Sequence, residues 1–179
     1  MNFLTDKLPT EYGGYKINTS FTVPLKFLSL QQDGDLSERE KTFIALKMFF
    51  PEFEGRHTDE LLDFLPYYIN RGRDNEEQKG EPVFDLIEDS ERVYAAFLQV
   101  YHLDLHEADL HWWEFLALLE NLPSGTKLAE IVGIRAADVP RVNRANQKQV
   151  SALLRLKDTY ALKGKKTIGE KMQDVWEAL

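Results

Sequence analysis

The stretch Leu110-His111-Trp112-Trp113-Glu114-Phe115-Leu116-Ala117-Leu118-Leu119 constrains the fold more than any other part of the chain. Its apolar side chains do not alternate as a strand requires. On a helix, at about 100° per residue from Leu110, Trp112, Phe115, Leu116 and Leu119 fall between about 140° and 240°. Leu118 extends that arc on one side and Trp113 on the other. An arc this wide exceeds a single core face, so a helix over 108–121, ended by Pro123, is expected to be central, with other helices packed around it. His111 and Trp113 fall at the rims of the arc, Trp113 beside Glu120, and a rim indole is available to anchor another chain.

Signals for the surrounding helices are local. Ser37-Glu38-Arg39-Glu40 is a capping box that opens a helix running to Phe50 and stopped by Pro51, with Phe43, Leu46 and Phe50 on one apolar face. Thr58 caps a second helix in which Leu61, Leu62, Leu65, Tyr68 and Ile69 are apolar and Pro66 is expected to kink or shorten the run. A helix over 90–101 places Tyr94, Phe97, Leu98 and Tyr101 together. Thr126 caps a short helix to Ile134, and Val150, Leu153, Leu154 and Tyr160 support one over 146–162. Near the N-terminus, Gly13-Gly14 is a turn before the alternating run 15–23, which predicts a β hairpin over about 12–23 ended by Pro24. A lone hairpin is marginal in water, so it should lie on the helices or on a partner. The expected fold is therefore mostly α, a single helical domain over 1–162 with a small N-terminal β hairpin. Residues 71–81 contain no apolar side chain, which predicts a mobile loop at 71–82; residues 163–179 read as a basic C-terminal extension with a loose helix at 173–178.

The chain has no Cys, which excludes disulfides, thiolate nucleophiles and Cys-based metal centres. Its longest apolar run, 93–98, is six residues, against about 20 for a spanning helix. No signal peptide precedes Asp6, so a soluble intracellular protein is expected, with no membrane partner. The net charge of −8 is uneven: residues 1–140 hold 13 basic and 26 acidic side chains, residues 141–179 hold 9 and 4. In the basic part, Arg141, Arg144, Lys148, Arg155, Lys157, Lys163, Lys165 and Lys166 could contact phosphates, but Tyr160 alone is interleaved as a stacking aromatic. An acidic protein surface suits this patch better than nucleic acid. The candidate partner-binding residues are thus His111, Trp113, Arg155, Lys157 and Trp176.

Catalytic patterns fail on spacing. His102, Asp104, His106, Glu107, Asp109 and His111 are a dense set of possible metal ligands, and His106-Glu107-x-x-x-His111 looks like the helical zinc motif. Its second His comes one place late, about 140° round a helix from the first, so one face cannot chelate. The expected reading is an acidic connection between helices that caps the next one. Gly164-Lys165-Lys166-Thr167 lacks the earlier Gly and the preceding strand of a phosphate-binding loop, and no nucleophile elbow occurs. No catalytic residue, metal or cofactor is expected, and the chain reads as a non-enzyme.

Leu8-Pro9, Ile17-Asn18-Thr19-x-Phe21, Glu40-Lys41, Tyr94-Ala95-Ala96-Phe97, Leu103-Asp104-Leu105, His111-Trp112-Trp113-x-Phe115, Ile134-Arg135 and Lys157-x-x-Tyr160 together resemble a bacteriophage family known by a gene-product number. That family is found in phages and prophages of Gram-positive bacteria, and these segments keep its order over about 1–162. Ser20 and Thr22 stand where members often carry Asp and Arg. Members are similar to tail assembly chaperones encoded between the tail-tube and tape-measure genes. The resemblance implies a non-enzymatic factor that binds the tape-measure protein, helps the tail-tube protein polymerise, works in the host cytoplasm and leaves before the virion is complete. A homo-oligomer fits that role. A virion component, such as a head-to-tail connector or tail-terminus protein, stays open as the alternative; a metal-dependent hydrolase or a DNA-binding accessory protein is more remote.

Overall fold

A computed structural model describes residues 2–56, 58–73 and 82–163. The chain is mostly α with a small N-terminal β hairpin, in the order β1 (Glu11–Tyr12), β2 (Tyr15–Lys16), α1 (Thr22–Gln31), α2 (Glu38–Phe49), α3 (Thr58–Ile69), α4 (Ser90–Tyr101), α5 (Trp112–Glu120), α6 (Lys127–Ala136) and α7 (Gln147–Thr159). The predicted mobile loop falls mainly on 74–81, and the C-terminal extension, with its loose helix, on 164–179; both lie outside the described residues.

The described residues gather into two compact units. The first holds the hairpin, α1 to α3 and most of α5; the second holds α4, α6, α7 and the end of α5.

Local signals place several helices as expected. In α2 the Ser37 side chain and Glu40 close the capping box reciprocally; in α6 the Thr126 hydroxyl accepts from Ala129 N–H at 3.1 Å. Lys41, buried one residue beyond Glu40, bonds Gln31 O at 3.3 Å and Glu38 at 3.0 Å, so it ties the end of α1 to the start of α2. On α2, Leu46 and Phe50 are buried as expected, while Phe43 is exposed and leans on Phe53. On α4 the buried residues are Val93, Ala96 and Phe97, and Leu98 faces solvent instead.

The N-terminal region departs further from expectation. The hairpin is short, pairing Glu11 with Lys16 and Tyr12 with Tyr15. Gly13 and Gly14 turn at φ of 56° and 82°, as a two-residue hairpin turn of right-handed strands requires. Tyr12 stacks on Phe64 of α3 at 3.9 Å, so the hairpin lies on the helices. The alternating run beyond it does not continue that ladder. Asn18 N–H donates to Phe49 O at the end of α2, Phe21 N–H to Leu110 O, and Trp112 N–H to Thr19 O, with Ser20 and His111 forming an antiparallel bridge. Alternation here reports a chain buried on one side whose backbone partners are distant in sequence. Thr22 then starts α1, a helix that the reading of Pro24 as a stop misses. Proline is tolerated in a first turn because its missing N–H would have no helical acceptor there. Ser20 supplies the cap that Phe21 lacks, its hydroxyl 3.3 Å from Thr22 N and 2.9 Å from Thr22 Oγ1.

Candidate functional site

The same bridge delays α5. Residues 108–111, expected as helix, lie outside it because Leu110 O and Trp112 N–H are spent on the 19–21 segment. The helix begins at Trp112, which sets both indoles against the end of α3. The last carbonyls of a helix have no partner within it and need one from outside. Here Pro66 O accepts from Asn70 N–H and Tyr67 O from Gly72 N–H. Tyr68 O accepts from Arg71 N–H at 3.3 Å and from the Trp113 indole at 2.6 Å, and Ile69 O from the Trp112 indole at 3.0 Å. With these donors the last turn holds, so Pro66 does not shorten α3, which continues to Ile69. Trp113 is 1% exposed, which corrects its predicted place at a rim open to a partner. A wheel assigns a residue to a side of its helix and says nothing of what covers that side; the end of α3 covers this one.

Between these indoles and Phe49 lies Tyr68, fully buried, its hydroxyl without a hydrogen-bond partner among the described residues. Burial pushes its pKa up. An unpaired buried hydroxyl costs free energy and nothing here returns it. Tyr68→Phe should therefore leave stability unchanged or raise it by about 1 kcal/mol in chemical denaturation, and a clear loss would show that the hydroxyl has a partner in solution.

His111 closes the junction. Its Nδ1 accepts from Trp113 N–H at 3.0 Å, so Nε2 carries the proton and donates to Pro9 O at 3.1 Å. Its own N–H donates to Glu114, capping α5. Both ring nitrogens are thus spent inside the fold. Burial lowers the His111 pKa below its ordinary value, opposed by the bond to Pro9 and by Glu114. Since the folded value lies below the unfolded one, the stabilisation is complete above about pH 6.5 and is lost as pH falls through the lowered value. Thermal unfolding followed from pH 7.5 to 5 should show Tm falling with acid, and His111→Asn, whose Oδ1 can take the place of Nδ1, should flatten that slope. An unchanged slope in the variant would assign it to other groups.

In the second unit, Arg135 is the organising side chain. It grips Asp89 with two nitrogens, Nη1 at 2.6 Å and Nη2 at 3.0 Å, and donates to Val83 O and Tyr160 O. Asp89, with a wholly buried side chain, also accepts from Arg92 at 2.9 Å and from Asp85 N–H at 3.2 Å. Lys157 donates to Arg135 O at 2.6 Å. Lys157, proposed as a partner-binding cation, is therefore half-buried and holds α7 to α6. Neither Arg135 nor Asp89 stands out as a functional position in the sequence; the signal it offers is an Arg inside the otherwise apolar end of α6.

The acidic 102–109 stretch is a connection. His102 ends α4 in the left-handed conformation at φ 52°, Asp104 accepts from His106 N–H, and His106 lies against the Tyr94 ring at 5.0 Å. Burial, then the Asp104 carboxylate, raises the Tyr94 pKa. Among the described residues no three His, Asp or Glu side chains are gathered so as to hold a metal ion.

Exposed apolar groups lie elsewhere. On α7 Val150 alone is buried, and Leu154 and Leu156 are 48% and 42% exposed. Arg141, Arg144, Lys148 and Arg155 are exposed beside them. In the N-terminal turn closed by Asn2 and Asp6, Leu4 is 94% exposed next to Phe3. Trp176, Lys165, Lys166 and the 164–167 fragment lie outside the described residues. Among the described residues no helix is long and apolar enough to cross a membrane.

Such a molecule is a small, mostly α-helical protein in which, among the described residues, His111, Asp89, Arg135, Trp112 and Trp113 are committed to its own architecture. The chain belongs to the bacteriophage Gp15 protein family, whose match covers residues 4–162. No curated protein and no solved structure matches it. Several of the segments that carry the phage resemblance meet in space within each unit. Leu8-Pro9, Ile17 to Phe21 and His111 to Phe115 meet at the bridge, where Phe21 stacks on Phe115 at 4.9 Å. Ile134-Arg135 meets Lys157 and Tyr160, and Tyr94 meets Asp104.

Proposed function

We infer that this phage protein is a non-enzymatic tail assembly chaperone that binds a tape-measure protein and promotes tail-tube assembly. The observation that carries this reading is the division of labour in the chain. His111, Asp89 and Arg135, the side chains best suited to chemistry, are spent on internal hydrogen bonds, while Leu4, Leu154 and Leu156 stand out of the fold beside polar or basic groups. A chaperone for a long amphipathic client uses such apolar contacts in a soluble, charged frame. The acidic balance supports solubility of the loaded complex. On this reading the protein works in the host cytoplasm and is absent from the finished particle.

Co-expression with the tape-measure protein of the same phage tests it. The expected outcome is a soluble, co-purifying client and no trace of this chain in purified virions. A client that stays insoluble and unbound, with this chain present in virions, would replace the chaperone with a head-to-tail connector or tail-terminus role.

A further inference from the structure

The outward face of α7 has a definite pattern. Taking buried Val150 as zero, Arg155 and Lys148 project at about 140° and 160°, opposite the core, with Leu154 at about 40° and Leu156 at about 240° as shoulders. All four are exposed. Arg141 and Arg144 precede the helix and are exposed too. This is a basic ridge between two apolar edges, with exposed Asp158 at about 80° on the Leu154 side, and nothing of the chain's described part is laid over it.

The outward face of α3 is its converse. Taking Asp59 as zero, Asp63 lies at about 40°, Tyr67 at about 80° and Glu60 at about 100°, with Leu62 and Pro66 on the other edge. Asp59, Glu60, Asp63 and Tyr67 are exposed, Leu62 and Pro66 are half-buried, and α3 contains no basic residue. Opposite charges and matching apolar edges thus stand on two separate helices of one sequence.

We propose that α7 of one molecule docks on α3 of a second copy, Lys148 and Arg155 facing Asp59 and Asp63, with Leu154 or Leu156 against Tyr67 and Leu62. Because the contact joins two different surfaces, each copy offers one of each, and association runs on to a closed ring or an open filament instead of stopping at a two-fold dimer. Each 12-residue or 13-residue helix gives a contact about 18–20 Å long, at the small end of specific interfaces. Its strength therefore rests on charge and is sensitive to salt. This association is a property of the chain alone and does not depend on the chaperone reading.

Sedimentation equilibrium of the full chain tests it. At low salt the mass should rise above the 20.8 kDa monomer with concentration, and return to monomer in about 1 M salt, where the Debye length is about 3 Å. Lys148→Glu with Arg155→Glu, or Asp59→Lys with Asp63→Lys, should each weaken self-association by about tenfold or more. Mixing the two variants should restore it, since the reversed helices attract one another; recovery in the mixture also shows that both fold. A monomer at every concentration, association that survives both reversals, or a mixture that stays monomeric would each overturn the proposal.

Discussion

Arg135→Ala should destabilise the protein by about 3–5 kcal/mol in urea denaturation followed by circular dichroism, the largest effect of any single charged position. The guanidinium makes four hydrogen bonds, two to Asp89 and one each to Val83 O and Tyr160 O, so removing it strands a wholly buried carboxylate and two carbonyls. Arg92 remains on Asp89 at 2.9 Å, but its side chain is one-third exposed and cannot make good the loss. Arg135→Lys should recover little, because one ammonium cannot present a planar fork to a carboxylate and two diverging carbonyls at once. A loss below about 1 kcal/mol would mean that solvent replaces the network, and that Asp89 is less enclosed than its contacts indicate.

Trp113→Ala is expected to cost about 3–5 kcal/mol, as a large aromatic removed from a packed site. It also leaves Tyr68 O at the end of α3 without its indole donor. Trp113→Phe separates the two contributions: the ring is largely kept and the indole bond is lost while Arg71 N–H still reaches Tyr68 O at 3.3 Å, so the loss should be about 1 kcal/mol, the net worth of one hydrogen bond. Had Trp113 stood at an exposed rim, both variants would be nearly neutral for stability and would show instead in partner binding. Denaturation curves of the two variants discriminate between these placements.

What could be read from the sequence is what short-range physics decides. Ser37 and Glu40, or Thr126 and Ala129, lie three residues apart, so their capping bonds are settled by local geometry and are legible without any fold. The bounds of α4 and the extent of α2 follow from apolar periodicity and Pro51, although α4 has no side-chain cap, and α3 begins at Thr58 itself, the residue expected to cap it. Helix α1 was illegible because Pro24 in a first turn looks the same as Pro24 after a strand. The late start of α5 was illegible because the competing partners of its backbone, Thr19 and Phe21, are about 90 residues away. The predicted site fared according to the same rule. Exposure of Arg155 followed from its charge, whereas the burial of Trp113, the double engagement of His111 and the internal bond of Lys157 each depend on a distant segment.

The amino-acid sequence by itself determined a mostly α protein of the bacteriophage Gp15 family, its principal helices and their caps, and the opposition of an acidic body to a basic C-terminal part. Only the tertiary structure decided which distinctive residues build the fold and which face outward. The physical reason is that a carbonyl at the end of α3 or a carboxylate at the start of α4 must find a donor wherever the chain can bring one. The donors here, Trp112, Trp113 and Arg135, stand more than 40 residues away from the Ile69 and Tyr68 carbonyls and the Asp89 carboxylate that they reach.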